Sequence, residues 1–496
     1  MHHHPTSPQT DRAATGKERH HYDAAIIGAG PAGATAARLL AQWGLSVVIL
    51  TAPPAKRPAL AECLPPSNRK VFQFLEIEEA IQGAGFLRTT GNTVWWGKSG
   101  RRVEPYPQGW GYQVLRSDFD RMLLELARSA GARVEVGKAA GFLGTNGPRI
   151  EFQSEGKLVA IRSRFILDCS GRAGVLARAL RAREKHSRTV ALCGVWRSEQ
   201  GWKLPDASHT LVEAYSDGWA WSVPVSPNVR YVAFMVGPGE TRMVRGKGLE
   251  VAYRAELAKT RAFRRIFSRG ALDKAPWGCD ASQYSSKHFC GPGFLLAGDA
   301  GAFIDPLSSF GVKKAMVSAW TGAVLANTCL RKPSMQTAAL QFFEEREHRV
   351  YADYRKQTAE WFRQGSEQEA HPFWAHRASV GQDTAGDPSA VRKALQDLKR
   401  KRGLRLRRAP AVRIEQRPAI EGREIVLRDA LAAPGLPAAL DYLQNVNLAR
   451  LAEMAEHHSQ VPDLFEAYNR ACPKVSLPNF LTALATLVAK KILLDT

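Results

Sequence analysis

The sequence predicts an α/β protein with a Rossmann-like dinucleotide-binding domain, an antiparallel-sheet domain inserted into it, and a small, mostly helical C-terminal domain. Three observations predict it. In Tyr22 to Leu50 an apolar run reaches Gly28, Gly30 and Gly33, an Ala-rich helical pattern follows, and a second apolar run closes the unit. Between Val190 and Val236 lie four strand-like runs, VALCGVW, HTLVEAYS, GWAWSVPV and RYVAFMV, separated by Pro, Gly, Asn and Asp. Near the end, Leu448 to Met454, Val461 to Tyr468 and Leu477 to Leu494 give three amphipathic segments.

The first unit reads as strand, tight turn, helix and parallel strand. Gly28 permits the turn, Gly30 lets a pyrophosphate approach the backbone, and Gly33 lets helix and sheet pack closely. Pro31 and Ala32 open the helix whose N-terminus faces the phosphates. The lone glycine pattern is weak, and its place between two strands is what makes it a dinucleotide site. The position that usually carries an acidic residue for the ribose is Thr51, a weaker acceptor.

Farther along, Pro53 to Pro66 is a Pro-rich loop holding Glu62, and Ser67 to Ala80 has a helical face of Val71, Phe74, Leu75 and Ile77. Gly91 to Trp110 alternates aromatic and polar residues, including Trp95, Trp96, Tyr106 and Trp110, as strands against a pocket or core do. A helix is expected over Asp118 to Ala130 and a strand over Ala132 to Val136; Phe165 to Cys169 then runs into a second glycine turn. Leu249 to Phe267 reads as helix, Gly293 to Ala297 as a strand entering GDAGAFIDPLSSFGVKKA, Gln336 to Arg363 as helix, and Ser366 to Pro388 as a polar break. The division expected from this is a disordered tail over 1–21, a discontinuous nucleotide-binding domain over 22–88, 115–180 and 290–370, and a sheet domain over 89–114 and 181–289. A loop and basic linker over 371–423 and a C-terminal domain over 424–496 complete it.

At 496 residues the chain is too long for one simple core. No apolar run is long enough to span a bilayer, and the head lacks the apolar core of a signal peptide. Seven scattered cysteines without a CxxC point to a reducing compartment, and so to a cytoplasmic protein, without structural zinc or another metal. The net charge of +22 suits nucleic acid, an anionic membrane or an acidic protein. No nucleic-acid motif or membrane segment accompanies it, which leaves a solvated basic linker at Lys399 to Arg408 or the docking of an acidic protein.

On three motifs in order the chain resembles the FAD-dependent aromatic monooxygenase and flavin-dependent halogenase superfamily: the glycine turn, VLRSDFD, and GDAGAFIDPLSSFG. The resemblance implies FAD as cofactor. It implies that Asp299 binds the ribityl and phosphate region, that Arg116 lies over the phosphates, and that Pro306 to Val312, including Gly311, runs beside the reactive edge of the flavin. Trp219, Ala220, Trp221, Ser222, Val223 and Pro224 match the halogenase spacing WxWxIP, which helps separate flavin from substrate; equally, two Trp at i and i+2 share one strand face and suit a core. Trp219, Trp221, Trp95 and Trp96 are the expected pocket walls.

Two departures set the chemistry. In the family's lysine-bearing segment, here Gly85 to Gly91, the halogen-carrying lysine has become Thr89; Lys98 is out of register, and Phe310 rather than serine precedes Gly311. Hydroxylation needs no such lysine. At the stretch matching the CDG signature of self-sufficient hydroxylases, Asp168 to Gly171, the aspartate is Ser170, so a separate flavin reductase is expected, with an NAD(P)H or other electron donor as the alternative. The tail is similar to winged-helix peptide-recognition domains, or is a helical cap. The chain is similar to flavoproteins of tryptophylquinone cofactor biogenesis, including the one serving quinohemoprotein amine dehydrogenase. That similarity implies a C4a-hydroperoxyflavin formed with O₂, a polypeptide substrate in an acidic or tryptophan-bearing subunit, and hydroxylation of a tryptophan. A halogenase with a displaced lysine and a non-catalytic flavoprotein chaperone are the alternatives.

Overall fold

The structure is a computed structural model that describes residues 20–54, 58–98, 100–107, 109–144, 147–183, 188–237, 248–379, 388–400, 403, 405–433 and 440–495. The chain forms two compact units, Met1–Ala326 with Phe343–Val380, and Asn327–Phe342 with Gly381–Thr496. The expected tail, apart from its last two residues, lies outside the described residues.

The first unit is built on a sheet in which Phe294–Leu296, Lys157–Asp168, His20–Ile27, Val47–Thr51 and Arg133–Val136 lie side by side and parallel. The central strands carry unbroken apolar runs, Ala24 to Ile27, Val47 to Leu50 and Phe165 to Leu167, because a parallel sheet is covered on both faces; Ala24, Ala25, Ile26, Val48 and Ile49 are fully buried. Helix Pro31–Gln42 follows the glycine turn and buries nine of its residues. An antiparallel hairpin, Lys138–Gly144 with Gly147–Ser154, extends the long strand Lys157–Asp168 and had no clear signal in the sequence.

A second sheet runs Ala271–Asp280, Val190–Arg197, Val229–Val236, Gly218–Ser226, Thr210–Tyr215, Gly91–Trp95, Arg101–Pro105. All pairs are antiparallel except Thr210–Tyr215 with Gly91–Trp95. Side chains alternate between its faces. One face carries Leu192, Leu211, Ala220, Val232 and Phe234 against Tyr253, Phe263 and Phe267 of helices Gly248–Lys259 and Ala262–Phe267. The opposite face carries Ala191, Cys193, Ala214, Trp219, Ala233 and Met235.

Several expected elements are interrupted, each for a local reason. The helix over Ser67 to Ala80 is two helices, Arg69–Phe74 and Glu78–Gly83, because Glu76 between them takes φ 53°. The helix over Leu249 to Phe267 breaks where the Glu213 carboxylate accepts the backbone N–H groups of Arg261, Ala262 and Phe263, starting a new helix on an anion. The polar break from Ser366 is shorter than expected: one helix runs to Gln368 and another spans Pro372–Ala378.

The second unit departs furthest from expectation. Where residues 371–423 suggested loop and basic linker, Pro388–Arg400 is a helix whose Ala394 and Leu398 enter the unit's core beside Phe480, Leu484 and Leu487. Arg413–Glu421 and Glu424–Ala432 form a hairpin, where a mostly helical region was expected to begin. Residues 401, 402 and 404 of the basic run lie outside the described residues. Leu406–Arg408 is a strand paired with Leu493–Asp495, and Arg408 is tied to Glu456. Helices Leu448–Ala455, Val461–Ala471 and Leu477–Ala489 fall on the three amphipathic segments. Among the described residues no helix is long and apolar enough to cross a membrane, and no group of three or more His, Cys, Asp or Glu is placed to hold a metal ion.

Candidate active site

One cavity of about 620 Å³ opens in the first unit. Two walls of different make enclose it. The first wall is backbone: Gly28, Gly30, Pro31 and Ala32 from the turn and helix start, Thr51 from the next strand, and the Pro306 to Val312 segment. A Cβ at Gly33 would lie 1.8 Å from the Gly28 carbonyl oxygen, so the helix sits directly on the turn, and Gly33 itself is behind the cavity surface. A Cβ at Gly28, where φ is 103°, would lie 2.5 Å from the Cys169 oxygen. At Gly30 a Cβ would meet nothing nearer than Arg116 Nη2 at 3.8 Å, which leaves open space between a helix N-terminus and a guanidinium. That helix has no side-chain cap and no acidic residue in its first turn, so its N–H groups are available to an anion. A diphosphate fits there.

Arg116 starts helix Arg116–Ser129 and is gripped by Asp120, with Nε to Oδ1 at 2.9 Å and Nη2 to Oδ2 at 3.0 Å, while Nη1 faces Glu62 at 3.4 Å. Burial pulls the guanidinium's pKa down, but Asp120 and Glu62 more than reverse this and keep it charged. Glu62 also lines the cavity; burial pushes its carboxyl upward, against the pull of Arg116. Asp299, at the end of the GD dipeptide, lies 3.1 Å from Nζ of the buried Lys314, which also donates to the Ala302 carbonyl. Asp305 caps the Pro306–Ser308 turn by accepting from Leu307 N at 3.0 Å, and burial raises its pKa. Asp168, fully buried, accepts from Ser170 N and from the backbone of Leu176 and Ala177, which shapes the loop holding Ser170 and Arg172 at the cavity edge.

The second wall is side chains on the inserted sheet. Strand register explains it: Trp219 pairs with Met235, and Met235 with Ala191; Trp221 pairs with Ala233, and Ala233 with Cys193. Ala191, Cys193, Val212, Trp219, Trp221 and Met235 all reach the cavity from one face, small residues flanking the two tryptophans.

Of the residues expected at the site, Gly28, Gly30, Pro31, Ala32, Thr51, Arg116, Trp219, Trp221, Asp299, Pro306, Gly311 and Val312 come together on this lining. Three expected pocket residues do not. Trp95 packs against the helix-covered face of the sheet, because consecutive strand residues face opposite ways. Trp96 is on the cavity side but fully buried behind Trp219, with its N–H donated to the Trp361 carbonyl. Thr89 is fully buried and donates to the Gly91 carbonyl at 3.2 Å. Sequence reading passed over Lys314, Lys138, Arg172 and the thiols of Cys193 and Cys279. Lys314 carried no signal of its own, since the sequence shows it only as the second of two adjacent lysines, Lys313 and Lys314, at the helix start.

Comparison with known proteins agrees with this geometry. The FAD binding domain family matches residues 21–329. A tryptophan 2-halogenase from Chondromyces crocatus is 30% identical over 340 residues, 64% of this chain and 63% of the relative, so the match spans just under two thirds of that relative's length. Among solved structures, the flavin-dependent halogenase CmlS superposes with a TM-score of 0.76 at 20% identity, covering 96% of each chain. The peptidyl tryptophan dihydroxylase QhpG, essential for tryptophylquinone cofactor biogenesis, superposes with a TM-score of 0.71 at 22% identity, covering 95% of this chain and 99% of its own. At these identities the two superpositions speak for the fold. The cavity fits the nucleotide and the family match covers every element that shapes it, so the chain belongs to the FAD binding domain family, and FAD is its cofactor.

Proposed function

We propose that the chain is an FAD-dependent monooxygenase that hydroxylates an electron-rich aromatic ring, a tryptophan side chain of a peptide or protein in quinone cofactor biogenesis. The observation that carries this reading is the sheet wall. It offers two tryptophans, small apolar residues and thiols, and no ammonium: Thr89 stands buried away from the cavity and Lys98 is exposed on a turn. Lys138, the lysine on the described lining, belongs to the hairpin beside Gly137 and Ala139, not to the sheet. A wall of this kind can hold a ring and exclude water, and has no amine to carry a halogen.

The bare helix N-terminus and Arg116 would hold the diphosphate, and Asp299, fixed by Lys314, the ribityl hydroxyls. Bound FAD supplies the activation of O₂ and the electrophilic oxygen. What the protein's own residues contribute is position: Trp219 and Trp221 confine the ring, Met235 and Ala191 close the floor, and Asp305 fixes the Pro306–Ser308 turn facing them. Ser170 in place of an aspartate favours a separate flavin reductase over direct reduction by NAD(P)H. The likeness to QhpG suggests a polypeptide-borne tryptophan, in an acidic subunit that suits the net charge of +22.

The test is intact mass of a tryptophan-bearing polypeptide, and of free tryptophan, after incubation with the protein, reduced FAD, O₂ and chloride. One or two oxygens gained by the polypeptide alone support the reading. A chlorine gained on either overturns it in favour of a halogenase, the activity named for the Chondromyces relative. Flavin that is reduced and reoxidised with no modified product supports a non-catalytic chaperone.

A further inference from the structure

Four indoles lead away from the cavity. Trp219 is on its wall, and the ring centroid of Trp96 lies 6.3 Å from that of Trp219. Trp96 lies 6.5 Å from Trp361 and 5.2 Å from Trp374, all three pairs edge to face. Trp219, Trp96 and Trp374 are buried, at 1%, 0% and 0% exposure, whereas Trp361 on helix Gln336–Gln368 is only half-buried. Two of the buried N–H groups are fastened to carbonyls, Trp96 to Trp361 O at 2.9 Å and Trp374 to Ser216 O at 3.0 Å, while that of Trp219, on the cavity wall, is buried without a partner.

The cavity needs an outlet for oxidising equivalents. Cys63, Cys169, Cys193, Cys279 and Met235 all line it, and thiols and thioethers are the side chains that oxidants damage first. Burial raises the thiol pKa of Cys63 and Cys169, which keeps them protonated and poor nucleophiles but gives no protection against a radical.

We propose that Trp219, Trp96 and Trp361 form an electron relay that draws one-electron oxidising equivalents out of the cavity and deposits them at the surface. A one-electron oxidant in the cavity, an oxygen radical or a light-excited flavin, gains one electron from Trp219. Trp96 refills Trp219, and Trp361 refills Trp96. The hole rests at Trp361, whose half-exposed indole can release its N–H proton to water. At Trp96 the cation would stay desolvated with its proton held by a carbonyl. A thiol or ascorbate in solution then returns one electron and one proton to Trp361. The relay goes beyond the hydroxylase reading and depends on no particular substrate.

The experiment is transient absorption of the FAD-loaded full chain after a blue-light pulse, without substrate. The wild type should show a long-lived tryptophanyl radical. Trp361→Phe should shorten the charge-separated lifetime by at least an order of magnitude, because the hole can then only return. Trp96→Phe should do the same, and Trp202→Phe, a buried tryptophan packed on Phe267 on the other face of the sheet, should not. Peptide mass analysis after aerobic cycling of reduced FAD without substrate should find the cavity cysteines oxidised sooner in Trp361→Phe. No tryptophanyl radical in the wild type, or an unchanged lifetime in Trp361→Phe, overturns the proposal. Should Trp96→Phe fail to fold, the half-exposed Trp361 still decides it.

Discussion

The cavity's two walls are specified by different physics. On the nucleotide wall the backbone does the work, and glycines appear because a Cβ would collide: 1.8 Å from an oxygen at Gly33, 2.5 Å at Gly28. On the sheet wall the backbone is ordinary, and specificity lies in which side chain strand register brings forward, Trp219 against Met235 and Trp221 against Ala233. A backbone wall tolerates almost no substitution where atoms touch; a side-chain wall can change its substrate while keeping its fold.

The sharpest break in that comparison is Gly33→Ala. The new methyl would overlap the Gly28 carbonyl and press on Cys169 Cβ at 3.3 Å, so helix Pro31–Gln42 must lift from the turn. The expected cost is about 4 kcal/mol or more, in the range where a single change is exceptional. Purified protein should be recovered poorly and without flavin absorbance. Recovery of flavin-loaded protein of wild-type thermal stability would mean that the turn is far more plastic than its contacts indicate.

Arg116→Ala comes next. It removes the guanidinium facing Gly30 and leaves Asp120 and Glu62 without their shared cation. Charge-assisted hydrogen bonds of this kind are worth about 1.5–3 kcal/mol each, so FAD affinity should fall roughly 10- to 100-fold, read by flavin fluorescence titration. Arg116→Lys should recover only part of it, since an ammonium cannot fork between two oxygens of Asp120. The sheet wall should be untouched, and an equal loss from Trp219→Phe would blur the contrast between the two walls.

That asymmetry also explains what could be read before the fold was known. The glycine turn was legible because close packing leaves few residue choices, and Arg116, Asp299 and the Pro306 to Val312 segment because their order along the chain is itself a pattern. Trp219 and Trp221 were legible as a pair. Trp95 and Trp96 were not separable, because one residue of register sends adjacent side chains to opposite faces, and nothing local says which face is the cavity's. The segment leading into the basic run hid a helix: Val391, Ala394, Leu395 and Leu398 carry a helical period, but the charges of Arg392, Lys393 and Arg400 mask it. Hairpin Arg413–Glu421 with Glu424–Ala432 was missed for the same reason, seven of its eighteen strand residues being charged.

The sheet wall should also respond to pH through its anchor. His209, 4% exposed and next to the cavity residue Thr210, has Nδ1 3.0 Å from Thr93 Oγ1 and Nε2 3.1 Å from Thr90 Oγ1. Burial lowers its pKa below 6.5, opposed by Asp206 and helped by Arg230. The unfolded chain therefore takes up a proton at pH values where the folded imidazole does not. Stability present above pH 6.5 is lost as pH falls below it, with a slope of at most about 1.4 kcal/mol per pH unit from this group. Melting temperature should drop on acidification, and the drop should be smaller in His209→Gln. An identical pH dependence in the variant would remove His209 as the cause.

The smallest expected effect is at Lys98, and it sharpens the comparison most for its size. Lys98 follows Trp96 on an exposed turn, beside Gly97, whose φ of 65° lets the chain turn away from the sheet. An amine that shuttles halogen must meet both the flavin and the ring, and Lys98 is absent from the cavity lining while Trp96, its neighbour two residues back, is already buried behind Trp219. Lys98→Ala should therefore leave FAD affinity, product identity and product yield unchanged, with or without chloride, as judged by intact mass. A chlorinated product that disappears with this substitution would show that the turn reaches the cavity during turnover. The sheet wall would then be a moving part, and the static contrast drawn between the two walls would fail on its own ground.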